Sequence, residues 1–285
     1  MDFKDILQQI EKADPEVYEK VSGRRNILKS FGSKVAVAAL PLALGSLFKK
    51  AYGKTTDATA VLDALNFALK LEYFEFNFYH TANNTGALIP TADQPGFALI
   101  ETHERAHINF LTSAITSLGG TPYTPPNYNS TTRNPYVPTS YDFTAGGTYH
   151  VFEDYATFLT IAETFEDTGV RAYQGQIPAF LGTGVLTQAM QISTVEGRHA
   201  SFIRLIRRFM GTVDLPRPWI TNNIPPAIAL QGAYVGEDKV IQKGVDITTL
   251  PGVNGTTINQ ISATAAFDEP LDKATVASLI APFLR

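Results

Sequence analysis

The sequence predicts an all-α fold, an antiparallel four-helix bundle with one long crossover between its second and third helices. Three observations predict it. Four segments beyond residue 56 repeat apolar residues at three- and four-residue spacing. The links within the first and last pairs of segments are short, whereas the middle link runs from Gly119 to Val151. Each apolar stripe also carries ionisable residues at mid-length.

The first 56 residues read as a separate N-terminal segment. Arg24-Arg25 with Leu28 and Lys29 precedes an apolar run from Val35 to Phe48. That run falls short of the roughly 20 residues a bilayer span needs. It suits the apolar core of an export signal, and the paired arginines resemble a twin-arginine signal. The pattern predicts export, to a periplasm, with a cytoplasmic location as the alternative. Ile27 and Gly23 depart from the usual signal, and no small-residue cleavage site follows closely.

The bundle is expected over 57–211. Its helices are placed at about 57–81, 95–118, 152–175 and 185–211. Asp57 suits a cap at the first start, and Gly119-Gly120 and Gly211 suit stops after the second and fourth. Pro178, Gly182 and Gly184 place a turn between the third and fourth. The crossover is rich in Pro, Tyr, Asn, Thr and Gly and reads as a cover over the bundle. Residues 212–285 form an irregular extension. Small strands are expected at Lys239-Val240-Ile241 and Val245-Asp246-Ile247, and a short amphipathic helix at about 270–283. That helix should pack on the bundle or on a partner.

Composition narrows the chemistry. Apolar residues make up 44% of 285, enough for a substantial core. The net charge of −4 gives no basic footprint for nucleic acid. There are no cysteines, so any metal must be held by oxygen and imidazole.

The stripes carry the functional argument. The first holds Glu72, Glu75 and Tyr79, the second Glu104 and His107, the third Glu163, Glu166 and Tyr173, the fourth Glu196 and His199. Buried carboxylates facing one another need compensation, by protons or by cations. Two metal ions are the natural choice, because hard cations accept carboxylate oxygen and imidazole nitrogen together. At i, i+3 the residues of Glu104-Arg105-Ala106-His107 and Glu196-Gly197-Arg198-His199 share a helix face. Thirteen glutamates and five histidines scattered at random would give fewer than one such pair, and this chain has two. The blander reading is an exposed Glu–His pair on each helix. It sits poorly with stripes that are otherwise apolar.

The expected ligands are therefore Glu72, Glu104, His107, Glu166, Glu196 and His199, with Glu104 and Glu196 bridging. Glu75 and Glu163 are possible additional ligands, or acids supporting the histidines. Tyr79 and Tyr173 read as core aromatics able to donate a hydrogen bond nearby. His80, His103 and His150 have no partner in register and read as surface or structural residues.

The order Glu, Glu-x-x-His, Glu, Glu-x-x-His resembles the ferritin-like di-iron carboxylate superfamily. The local text is closest to its bacterial ferritin-like and desiccation-related members. The resembling segments are Leu65-Asn66-Phe67-Ala68-Leu69-Lys70-Leu71-Glu72-Tyr73, Glu104-Arg105-Ala106-His107, Phe165-Glu166-Asp167-Thr168-Gly169-Val170 and Val195-Glu196-Gly197-Arg198-His199. The resemblance implies the bundle and a two-metal site, iron first and manganese second. O₂ or peroxide would then be the reactant of an oxidase, ferroxidase or peroxide-type activity. The alternatives are a non-catalytic metal-binding stress or desiccation-related protein and an interaction scaffold. A homo-oligomer built through helix faces or the C-terminal helix is a further expectation.

Overall fold

A computed structural model describes residues 57–211 and 217–285; the expected export signal lies outside them. Four long helices dominate: α1 (Ala58–Asn83), α2 (Gln94–Ser117), α3 (Tyr155–Phe180) and α4 (Leu186–Phe209). Asp57 caps α1 as expected, its Oδ1 accepting from the Thr59 amide at 2.9 Å. Asp154 caps α3, accepting from the Thr157 amide at 2.7 Å. Gly119 and Gly211, at φ of 79° and 76°, end α2 and α4 in the left-handed conformation that glycine adopts without strain.

All neighbouring helices are antiparallel. The Asn83 amide reaches the Phe97 carbonyl where α1 meets α2. Ser193 of α4 reaches the Val170 carbonyl of α3, and Arg207 reaches Glu163. Tyr79 bonds Glu166 while Tyr173 bonds Glu72, which runs α1 against α3.

Two expectations shift. The third helix begins at Tyr155, so Phe152 stands before it and Ala156 is exposed. It also runs through Pro178 to Phe180. A proline forfeits one amide bond near a helix end, and the fully buried Phe180 holds that turn in the core. The link to α4 is correspondingly short, at 181–185. Leu118 and Met210, inside the expected bounds of the second and fourth helices, lie beyond the helix ends and are exposed.

The crossover is stitched onto α1. Asn77, fully buried, accepts from the Val137 amide at 2.7 Å and donates to the Pro135 carbonyl at 2.9 Å. Asn66 accepts from the Tyr123 amide at 2.6 Å. Beneath this cover, Phe143 packs on Phe74 and Phe78 with ring centroids 5.1 Å and 5.2 Å apart. The aromatic residues of α1 thus serve packing within the chain.

The extension packs on α3. Its expected strands form a two-residue hairpin, β1 (Ile241–Gln242) with β2 (Val245–Asp246), turning at Lys243-Gly244 where both φ values are positive. After the short α5 (Gln260–Thr264), the amphipathic helix is α6 (Lys273–Ile280), with Val276 and Ile280 buried. Phe283 packs edge-to-face against Phe165 and Phe74. The apolar face of this helix packs within the chain. Tail and crossover also meet each other, the Asp142 amide donating to the Phe283 carbonyl at 2.8 Å.

Candidate metal centre

At mid-height of the bundle the six expected side chains converge. Glu72, Glu104, Glu166 and Glu196 are fully buried, His107 and His199 nearly so. They form two groups whose ligand atoms lie within 4.8 Å of one another: Glu72, Glu104, His107 and Glu196; and Glu104, Glu166, Glu196 and His199. Glu104 and Glu196 belong to both. The i, i+3 spacing produces this sharing, because each helix offers a carboxylate and an imidazole one turn apart on one face.

The Nδ1 atom of His107 lies 3.1 Å from Glu72 Oε2, 3.1 Å from Glu104 Oε2 and 3.3 Å from Glu196 Oε1. The Nδ1 atom of His199 lies 3.1 Å from Glu104 Oε1, 3.1 Å from Glu166 Oε2 and 3.9 Å from Glu196 Oε2. One ring nitrogen carries at most one proton, so it cannot satisfy three carboxylate oxygens. Glu104 Oε1 and both Glu196 oxygens accordingly make no hydrogen bond although fully buried. Orphaned oxygens around a converging nitrogen are the surroundings a cation requires. Four ligand carboxylates balance the charge of two divalent ions. The residues fit two metals.

Without a cation, protons must compensate. Burial raises Glu72, with the His107 ring opposing, to about 7. Burial and then the Glu104 charge raise Glu196 well above the carboxylate range. Burial likewise pushes Glu104 up, but the two histidine rings outweigh it and hold it down at about 2. Burial disfavours the charged His199 ring, yet Glu166 and Glu104 overcome it and raise the ring to about 11.

Polar neighbours hold the terminal carboxylates. Tyr173 donates to Glu72 and Tyr79 donates to Glu166, in both cases to Oε1. The hydroxyls are satisfied, as core tyrosines require, and they orient the carboxylates as well.

Three expectations need revision. Glu163 is no part of the centre: its Oε1 lies 3.4 Å from Arg204 Nε and its Oε2 2.5 Å from Arg207. One turn before Glu166, it faces the basic end of α4. There Arg204 also pairs with Asp167, which Tyr234 of the extension bonds at 2.5 Å. His103 is no bystander: its Nδ1 lies 3.0 Å from His199 Nε2, with the two rings stacked 5.3 Å apart. A signal was available, because His103 stands four residues before His107, on a neighbouring part of the α2 surface. His80 also has a partner, Glu101 at 2.7 Å, away from the centre.

Glu75 lies beside the centre, outside both ligand groups. Burial, then the Glu196 and Glu166 charges, keep its carboxyl well above the usual range.

A recess of about 280 Å³ between α2 and α4, lined by His107, Phe110, Gln188 and Ile192 among others, leads from outside to the His107 ring. No curated protein matches the chain. The model of the ferritin-like domain matches residues 60–208, from the first turn of α1 to the last of α4. That is more than half of the chain, which therefore belongs to the ferritin-like domain family.

Proposed function

We propose that this chain is a di-metal carboxylate protein, with iron as its metal, that performs oxidase- or peroxide-type redox chemistry inside the bundle. The observation that carries this reading is the pair of Nδ1 atoms, each faced by three carboxylate oxygens from three helices. Glu104 and Glu196 would bridge the two ions, Glu72 with His107 would complete one site, and Glu166 with His199 the other. When bound, two irons supply paired one-electron changes suited to reducing O₂ or peroxide.

The chain's own groups do the rest. Tyr79 and Tyr173 fix the terminal carboxylates, and His103 fixes the far nitrogen of His199. Glu75, whose carboxyl burial pushes well above the usual range, stands beside Glu196 where it can take up a proton. The recess at His107 gives small polar species a path, while the crossover and extension exclude bulk water on the α1–α3 side.

Metal analysis of the purified chain, followed by oxygen-electrode recording after anaerobic loading with ferrous iron, tests the reading. Two ions per chain and oxygen or peroxide consumption lost in Glu104→Ala and Glu196→Ala are expected. A folded chain that takes up neither iron nor manganese would sink it. Uptake of metal without consumption would overturn the redox part of the reading in favour of the non-catalytic metal-binding stress or desiccation-related alternative.

We also propose that Arg24-Arg25 directs export of the folded, metal-loaded chain. Cell fractionation of the native chain and of the Arg24→Lys, Arg25→Lys double variant tests this, with cytoplasmic retention expected of the variant.

A further inference from the structure

A cavity of about 370 Å³ lies between α1, α3, the crossover and the C-terminal extension. Its walls include Leu71 and Phe74 of α1, Phe165 of α3, and Leu230, Ile280 and Phe283 of the extension. Four of the five hydroxyls along it are committed: Thr148, Thr164, Thr168 and Ser278 each donate to a backbone carbonyl three or four residues earlier. Apart from the Tyr149 hydroxyl, Glu75 remains. It is 4% exposed and lines the cavity, and among the described residues no donor reaches its carboxyl group. A buried carboxyl facing an apolar space without a hydrogen-bond partner is costly.

Gly169 explains how Glu75 comes to stand there. A Cβ at this position would lie 3.1 Å from Glu75 Oε1 and 3.4 Å from Glu196 Oε2. The absence of a side chain at Gly169 lets the Glu75 carboxyl approach α3 a few tenths of an ångström more closely than a Cβ would allow, next to Glu196. Glu75 is thus a partition, with the metal-centre carboxylate on one side and the apolar chamber on the other.

We propose that this cavity binds a small, mostly apolar organic molecule whose single hydrogen-bonding head group docks on Glu75, beside the metal centre. An apolar cavity of about 150 Å³ accommodates benzene, so this one suits roughly a dozen non-hydrogen atoms. A straight-chain alcohol of about ten carbons meets both requirements. Its hydroxyl pairs with Glu75, and its chain covers the Phe and Leu walls. The binding does not rest on the metal reading; only the place of the head group beside bound metal does.

Titration calorimetry of the full chain with 1-hexanol, 1-octanol, 1-decanol and 1-chlorodecane tests the proposal. One 1-decanol per chain should bind saturably, with affinity rising about three- to fourfold per added methylene. Leu230→Trp and Ser278→Phe, which fill the cavity, should weaken 1-decanol at least tenfold while leaving metal content unchanged. The native chain should prefer 1-decanol over 1-chlorodecane, and Glu75→Leu should abolish that preference. If Glu75→Leu fails to fold, Glu75→Met, close to Glu in shape and without a carboxyl, gives the same comparison. A folded chain with no saturable binding, or binding that both filling variants leave intact, overturns the proposal. A chain that binds 1-decanol but no metal overturns only the di-metal reading, and one that binds metal but no alcohol overturns only this one.

Discussion

Tyr79 and Tyr173 set how firmly the terminal carboxylates are held. Each donates its hydroxyl to one glutamate oxygen and leaves the other facing a histidine. Tyr173→Phe keeps the packing and removes that donor. It should lower metal affinity about 10- to 100-fold with helicity unchanged, read by competition against a chelator. His103→Ala should weaken the site containing His199 more than the site containing His107, seen as a split into two unequal binding steps. The convergence of the six side chains was legible in the sequence because i, i+3 spacing, which pairs Glu104 with His107 and Glu196 with His199, is a local property of a helix, and the apolar stripes phase Glu72 and Glu166. Glu163 was not, because its fate depends on Arg204 and Arg207, which only the antiparallel pairing of α3 with α4 brings alongside. The same holds for His103, whose stacking on His199 joins residues on two helices.

At the scale of elements, α1 and α3 are buried on all sides at their middles, over 71–79 and 161–173. A helix covered all round departs from the simple stripe, and Phe74, Phe78 and Phe165 lie off the ligand face for that reason. They support the crossover and the extension. Phe74→Ala should cost about 3–5 kcal/mol, measured by chemical denaturation. Arg171 fastens the extension: its Nε donates to the Glu269 carbonyl at 2.6 Å and pairs with Glu237 at 2.7 Å, and its Nη2 donates to the Val235 carbonyl at 2.7 Å. Arg171→Ala leaves Glu237 buried and uncompensated, a loss of about 3–5 kcal/mol, and should open 217–285 to limited proteolysis before the bundle. The four helices and the cover were legible from periodicity and loop composition. The docking of the extension was not, since it runs through backbone carbonyls that carry no sequence signature. The end of α3 was also hidden, because burial of Phe180 outweighs the stop that Pro178 signals.

For the whole molecule, the metal centre sets the response to pH. Glu72 rises from 4.5 to about 7 in the metal-free fold, so the folded chain keeps a proton that the unfolded chain releases. That contribution is full below about pH 4.5 and is lost as pH rises through about 7. His199, raised from 6.5 to about 11, acts in the same direction over a higher range. Metal-free protein should therefore lose stability as pH rises from about 5 to 9, while metal-loaded protein should hold its ions better over the same interval. Thermal melts of chelator-treated and reloaded protein check both trends. The two openings also have a consequence for how the molecule works. The recess at His107 lies between α2 and α4, and the larger apolar chamber on the opposite flank between α1 and α3. A guest in the chamber leaves the other door clear, so the two kinds of visitor need not queue. If both proposals hold, saturating 1-decanol should leave ferrous-iron uptake unchanged, read by metal loading with and without the alcohol.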